Sequence, residues 1–212
     1  MKATDLLLAA YAIARAKDDK HHEQWISVSF KLGAIAGAVH TISVQRIGRL
    51  DMLLRLLEDE RLERLKDGPS NEPDWALDLQ FALSESWLLS AYEVTRTGKE
   101  MLKRRSEEMP KLLSLENRLA LVRMPIAKGE IQGMNQKANR DNPPMLVRAG
   151  SDTPEPYQAD GSFIMPKSLC EQTGSVLWHP IDMSLVRTIA IRRLDLSNEM
   201  LSLFDCSAEK IM

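Results

Sequence analysis

Residues 25–66 read WISVSFKLGAIAGAVHTISVQRIGRLDMLLRLLEDERLERLK, about forty residues without a proline, against a usual helix length of about 11–12. The first half is apolar on most sides, with Trp25, Ile26, Val28, Phe30, Leu32, Ile35, Val39, Ile42 and Val44. Val28, Leu32, Ile35, Val39 and Ile42 step alternately by four and three, which is a packing seam. The second half is one-sided: Leu50, Leu53, Leu54, Leu57, Leu62 and Leu65 form a stripe among Asp51, Arg55, Glu58, Arg61 and Arg64. An all-round apolar helix belongs inside a protein and a striped one on its surface. The run therefore predicts one long central helix wrapped by others, with Gly33 and Gly37 at a tight crossing.

Working outward, the N-terminal stretch around residues 6–14 predicts an amphipathic first helix, with Leu6, Leu7, Ala10, Ile13 and Ala14 at helical spacing and Thr4 as its N-cap. The short apolar stretch also has the look of a signal peptide, but Asp5 and a single early lysine, Lys2, argue against that. Residues 25–44 are long enough to span a bilayer, yet Lys31, His40 and three serines lie inside them, and the seam points to a bundle helix instead. Residues 67–74, DGPSNEPD, form a turn cluster, with Gly68 suited to ending the helix before it and Ser70 or Asn71 to capping the next. That next helix runs from about residue 74 to 108, with Leu77, Phe81, Leu88 and Tyr92 on its apolar face and Gly98 as a bend. After Pro110 a fourth helix carries Leu112, Leu115, Leu119 and Val122, and Pro125 predicts a kink or break.

The character changes at residues 142–144, Asn-Pro-Pro. Residues 141–160 read as a loop or linker, and 161–212 as a small β-rich element. Strands are expected at 161–166, 175–180 and 185–193, the last with β-branched residues at period two. Ser197 is the expected cap of a short final helix. So few strands need a surface to pack on. The fold class is α+β and predominantly α: a bundle of about four long helices over residues 1–140, then a small C-terminal β-hairpin and short helix packed on the bundle.

Composition limits the function. The chain has 212 residues and a net charge of −2, so no global field recruits nucleic acid or an anionic membrane. The two cysteines, Cys170 and Cys206, are not in a Cys-x-x-Cys pattern, and a reduced pair in a cytoplasmic protein is the expectation. The four histidines are His21, His22, His40 and His179. His21 and His22 read as surface polarity and His40 as a satisfied core histidine, while His179 has no evident partner. No phosphate loop, nucleophile elbow or zinc motif occurs, so neither cofactor nor metal is expected.

One polar group stands out. Residues 118–130, RLALVRMPIAKGE, set Arg123, Lys128 and Glu130 around Pro125 in a helical setting. Here the chain resembles the HEPN superfamily of helical-bundle proteins, whose motif is an arginine followed a few residues later by a histidine. The resemblance implies a phosphate-binding role for Arg123 and puts the histidine at position 128, where this chain has Lys128. In active members the motif cuts RNA in a dimer. Lysine is a poor proton shuttle at neutral pH. The leading expectation is thus a non-catalytic interaction or regulatory module, homodimeric and not membrane-bound. An RNA-cleaving or nucleotide-handling HEPN-like enzyme using the region of Arg123, Lys128 and Glu130 is the alternative. A membrane-associated bundle using residues 25–44 comes third.

Overall fold

A single glycine divides the forty-residue run. In the computed structural model, which describes residues 2–66, 74–147 and 152–205, helix α2 (Asp19–Ala36) ends one residue before Gly37 and α3 (Ala38–Lys66) begins one residue after it. Gly37 has φ 103° and ψ 154°, a region open essentially to glycine alone. The two helices fold back antiparallel: Gly33 meets Thr41, Ser29 meets Gln45, Trp25 meets Gly48 and His21 meets Asp51. The expected single central helix is therefore a helical hairpin. Its tight crossing lies at Gly33 and Gly48, not at Gly37. A Cβ on Gly33 would collide with the Thr41 hydroxyl, and one on Gly48 would come within 2.6 Å of the Trp25 ring, whereas Gly37 has open space around it. Near the turn the apolar run is not enclosed, since Phe30, Val39 and Ile42 are exposed.

Helix α1 (Ala3–Lys17) precedes the hairpin. It starts one residue before Thr4, so Thr4 is not its cap; the Asp5 carboxylate accepts from the Lys2 N–H instead. The expected signals at Gly68, Ser70 and Asn71 lie outside the described residues. Helix α4 (Trp75–Arg104) is capped by Asp74, whose carboxylate accepts from Leu77 N–H at 2.9 Å. Its Gly98 is where α5 crosses, because a Cβ there would lie 3.2 Å from Leu112. Helix α5 (Pro110–Lys128) runs through Pro125 without breaking and stops at Gly129, which is left-handed at φ 62°. Pro125 sits in the last turn, three residues before the helix ends.

The stretch 141–160, expected as a loop, holds the end of a short helix α6 (Lys137–Asp141) and an antiparallel pair, β1 (Met145–Val147) and β2 (Pro154–Pro156). The strand expected at 161–166 does not form. The sheet is β3 (Lys167–Leu169), β4 (Val176–Trp178) and β7 (Ile191–Arg192), antiparallel in the order β3-β4-β7. The expected strand at 185–193 is split into β6 (Arg187–Thr188), which pairs with β5 (Ile181–Asp182), and β7. Helix α7 (Arg193–Leu201) begins at once, so Ser197 lies inside it rather than at its cap, and a 3₁₀ turn (Ser202–Phe204) follows.

The fold is α+β and predominantly α, as expected. Val176, Trp178, Ile191, Leu196 and Met200 share one buried cluster with Trp25, Leu54, Trp87, Leu88 and Leu119. The sheet and α7 thus pack on the helices rather than forming a core of their own. No helix among the described residues is long and apolar enough to cross a membrane.

The hairpin geometry makes a testable distinction. Gly37→Ala should cost about 1–3 kcal/mol through backbone strain alone. Gly48→Ala should cost a similar amount, about 1–3 kcal/mol, by pressing on Trp25. Urea unfolding measures both. An unchanged midpoint for Gly37→Ala would mean the turn tolerates an ordinary L-residue.

Candidate functional site

The polar group expected around Pro125 is spread out rather than convergent. Arg123 is half-buried on α5, with its guanidinium 5.2 Å from the centre of the Tyr92 ring and Nη1 3.3 Å from Met124 Sδ. Lys128 is exposed at the end of α5, and Glu130 is half-buried just beyond Gly129. Among the described residues no hydrogen bond or ion pair joins Arg123, Lys128 and Glu130. The described histidines sit elsewhere: His21 and His22 on α2, His40 on α3, His179 after β4.

The densest polar arrangement is one the sequence reading placed on the surface. Val44, Ile47, Asp51, Leu54, Glu58 and Arg61 step by three and four along α3, and all are buried. Their face meets Arg193, the first residue of α7, which has no exposed surface. Arg193 donates to both Glu58 oxygens at 2.7 and 2.8 Å and to Asp51 Oδ1 at 2.5 Å. Its guanidinium also lies 5.6 Å from the centre of the Trp87 ring. Asp51 Oδ2 accepts from His21 Nε2 at 2.8 Å, Trp25 Nε1 at 3.0 Å and Arg55 Nε at 2.9 Å. Arg55 goes on to Ser197 and Asn198 of α7.

Burial alone would raise the Asp51 carboxyl, but Arg193, the His21 hydrogen bond and Arg55 together hold it well below the usual carboxylate range. Burial likewise works against the charge on Arg193, and Glu58 and Asp51 outweigh it, lifting the guanidinium above an ordinary arginine. Two carboxylates and two guanidiniums balance, so the cluster is neutral when His21 is neutral. At the end of α3, Arg61 pairs with Asp74 and holds that carboxyl down to about 2.

The other histidines also depart from expectation. His21 is buried, not surface polarity. His22 takes a 3.2 Å contact from the Tyr11 hydroxyl. His40 is not satisfied: its Nδ1 is buried without a partner among the described residues. His179 does have a partner, since Ser168 Oγ lies 2.8 Å from its Nε2. No carboxylate among the described residues orients that imidazole, so the pair lacks the third member of a nucleophilic triad. Burial raises the Cys170 thiol, but hydrogen bonds from Thr173 and Arg192 outweigh it and lower it overall. Cys170 is buried and free, and Cys206 lies outside the described residues. No group of three metal-ligating side chains occurs among the described residues.

One surface feature accompanies this cluster. Of the fifteen residues of α1 only Ala14 is buried, while Leu6, Leu7, Leu8 and Ile13 are 49%, 63%, 62% and 57% exposed. The C-terminal half of α1 is held by Ala14, by Tyr11 on His22 and by Lys17 on Asp59 at 2.6 Å. Leu7 continues the line of Tyr11 and Ala14 one turn earlier, yet it is exposed.

No protein-family model matches this chain, and no curated protein or solved structure matches it either. The HEPN resemblance therefore rests on residues 118–130 and the helical setting.

Removing one partner of a buried ion pair leaves the others uncompensated, at about 3–5 kcal/mol. Asp51→Asn should lose about that much in urea unfolding at pH 7, and an effect below about 1 kcal/mol would deny the cluster its structural role. The pH dependence has a fixed sign. Asp51 and Asp74 are depressed in the folded protein, so their contribution is complete above the unfolded carboxylate range near pH 4. It falls as pH drops through their folded values, for Asp74 at about 2. Asp51→Asn should flatten this acid limb in a pH series of urea midpoints.

Proposed function

We propose that this chain is a non-catalytic interaction module that works as a homodimer, with the N-terminal half of α1 as its contact surface. The exposure of Leu6, Leu7, Leu8 and Ile13 carries the reading. Burying such a side chain is worth about 1.5–3 kcal/mol, and contiguous exposed apolar patches mark interaction surfaces. A second copy is the occupant that the chemistry favours. Residues 6–13, LLLAAYAI, contain no charge, so the face meets its own image without repulsion, as a two-fold interface requires. Ala9, Ala10 and Ala12 are small enough to let two such helices approach closely. The buried, free Cys170 supports a reducing, cytoplasmic setting.

The competing reading is an RNA-cleaving HEPN-like enzyme acting through Arg123, Lys128 and Glu130. Its arginine is engaged on Tyr92, its lysine is exposed, and no histidine among the described residues stands beside them.

Analytical ultracentrifugation at micromolar concentration should give twice the chain mass, and Leu7→Glu should give the monomer with an unchanged helical circular dichroism spectrum. A wild-type monomer at every accessible concentration refutes the dimer. A labelled single-stranded RNA should survive incubation with the protein. Turnover that disappears in Arg123→Ala would replace the interaction reading with the enzymatic one.

A further inference from the structure

A cavity of about 430 Å³ opens between α1, the start of α2, the middle of α3, the β3–β4 turn and α7, within the size range of small-molecule sites. His21 and Arg55 both line it. His21 is 7% exposed and points Nε2 at Asp51. Asp51 is ionised among its cations and can only accept, so His21 Nε2 carries the proton and, in the neutral ring, Nδ1 is left as an acceptor. Nδ1 has no partner among the described residues. Arg55 spends Nε on Asp51 and Nη2 on Ser197 and Asn198, and its Nη1 has no partner among the described residues. An acceptor and a cationic donor are thus anchored on the same carboxylate oxygen beside one cavity.

The rest of the wall narrows the ligand. Met52, Leu56 and Leu194 make it apolar in part, and Asp18, Glu58 and Asp59 line it with negative charge, Glu58 paired with Arg193 and Asp59 with Lys17. A polyanion such as a nucleotide would meet those carboxylates. A simple cation would leave Arg55 Nη1 unused. A metal ion finds no group of three ligands among the described residues. A molecule carrying both signs and an apolar tail satisfies every wall.

We propose that this cavity binds a small zwitterion of the amino-acid type, with its ammonium on His21 Nδ1, its carboxylate on Arg55 and its side chain against Met52 and Leu56. This goes beyond the dimer proposal and does not depend on it.

Thermal unfolding in the presence of each of the twenty common L-amino acids at millimolar concentration tests it. At least one with an apolar side chain should raise Tm, and calorimetry with L-leucine should then compare it with 3-methylbutylamine and 4-methylpentanoate, which keep the tail and lose one charge. Each analogue should bind about tenfold or more weakly, since each forfeits one charge-assisted hydrogen bond. Leu56→Trp, which fills the cavity and leaves the ion cluster intact, should abolish binding while the circular dichroism spectrum is kept. In ¹⁵N spectra the His21 Nδ1 resonance should move on ligand addition. No Tm shift with any amino acid, equal binding of the charge-deleted analogues, or full binding by Leu56→Trp would each overturn the proposal.

Discussion

Arg193 is fully buried, and a buried guanidinium survives only where carboxylates meet it. That constraint organises much of the molecule. Asp51 and Glu58 must stand one above the other on α3, and their seven-residue spacing does this, since two helical turns return to nearly the same face. Helix α7 must begin where those two carboxylates converge, 142 and 135 residues along the chain. Once it does, Ser197 and Asn198 reach Arg55, and the β3–β4 turn is drawn against α3. There Gly174 lies so close to the Glu58 carbonyl that a Cβ would collide, and its own carbonyl accepts from Gln80 at 2.8 Å. Replacing the cluster with apolar residues of equal volume could leave stability unchanged. The observed placement of α7 pairs Arg193 with both carboxylates and brings Ser197 and Asn198 to Arg55.

The helices were legible because periodicity is a local property. The seams of α4 and α5 could be read directly, and the sheet's dependence on the bundle followed from its size. The hairpin was not legible for the same reason the run looked helical. Apolarity continues across Gly37 without a proline or a polar cluster to interrupt it. The only local mark of the turn is a glycine flanked by alanines, which reads equally well as a helix–helix contact. The two possibilities differ in the backbone of one residue, and Gly37, at φ 103° and ψ 154°, is where they part. The strands failed differently. They are two or three residues long, too short for alternation to fix their ends.

The buried charges lie on a stripe that reads as solvated. Charged residues among leucines usually face water, so Asp51, Glu58 and Arg61 were set opposite the core. Yet the seam through Val44, Ile47, Asp51, Leu54, Glu58 and Arg61 keeps its steps of three and four, and that regularity was visible in the sequence. What was not visible was the compensating charge. Arg193 lies in a run of alternating β-type residues and announces nothing. His21 was dismissed because it adjoins His22, when its partner stands thirty residues away across the hairpin. Arg123, Lys128 and Glu130 attracted notice by being close in sequence, and such closeness around a helix end does not make side chains converge.

Helix α1 joins the two proposals physically. Its N-terminal half offers the apolar face and its C-terminal half supplies Ala14 and Lys17 to the cavity wall. The C-terminal half is held to the body by Ala14, Tyr11 and Lys17. A helix so lightly seated gains order from anything that grips either end. If a second copy grips Leu6–Leu8, the wall of the cavity is steadied. If a ligand fills the cavity, the overhang is presented at a fixed angle. Linkage then requires the coupling to be reciprocal: whatever factor the ligand gains from dimerisation, the dimer gains from the ligand. The size of that factor depends on how much α1 moves when alone.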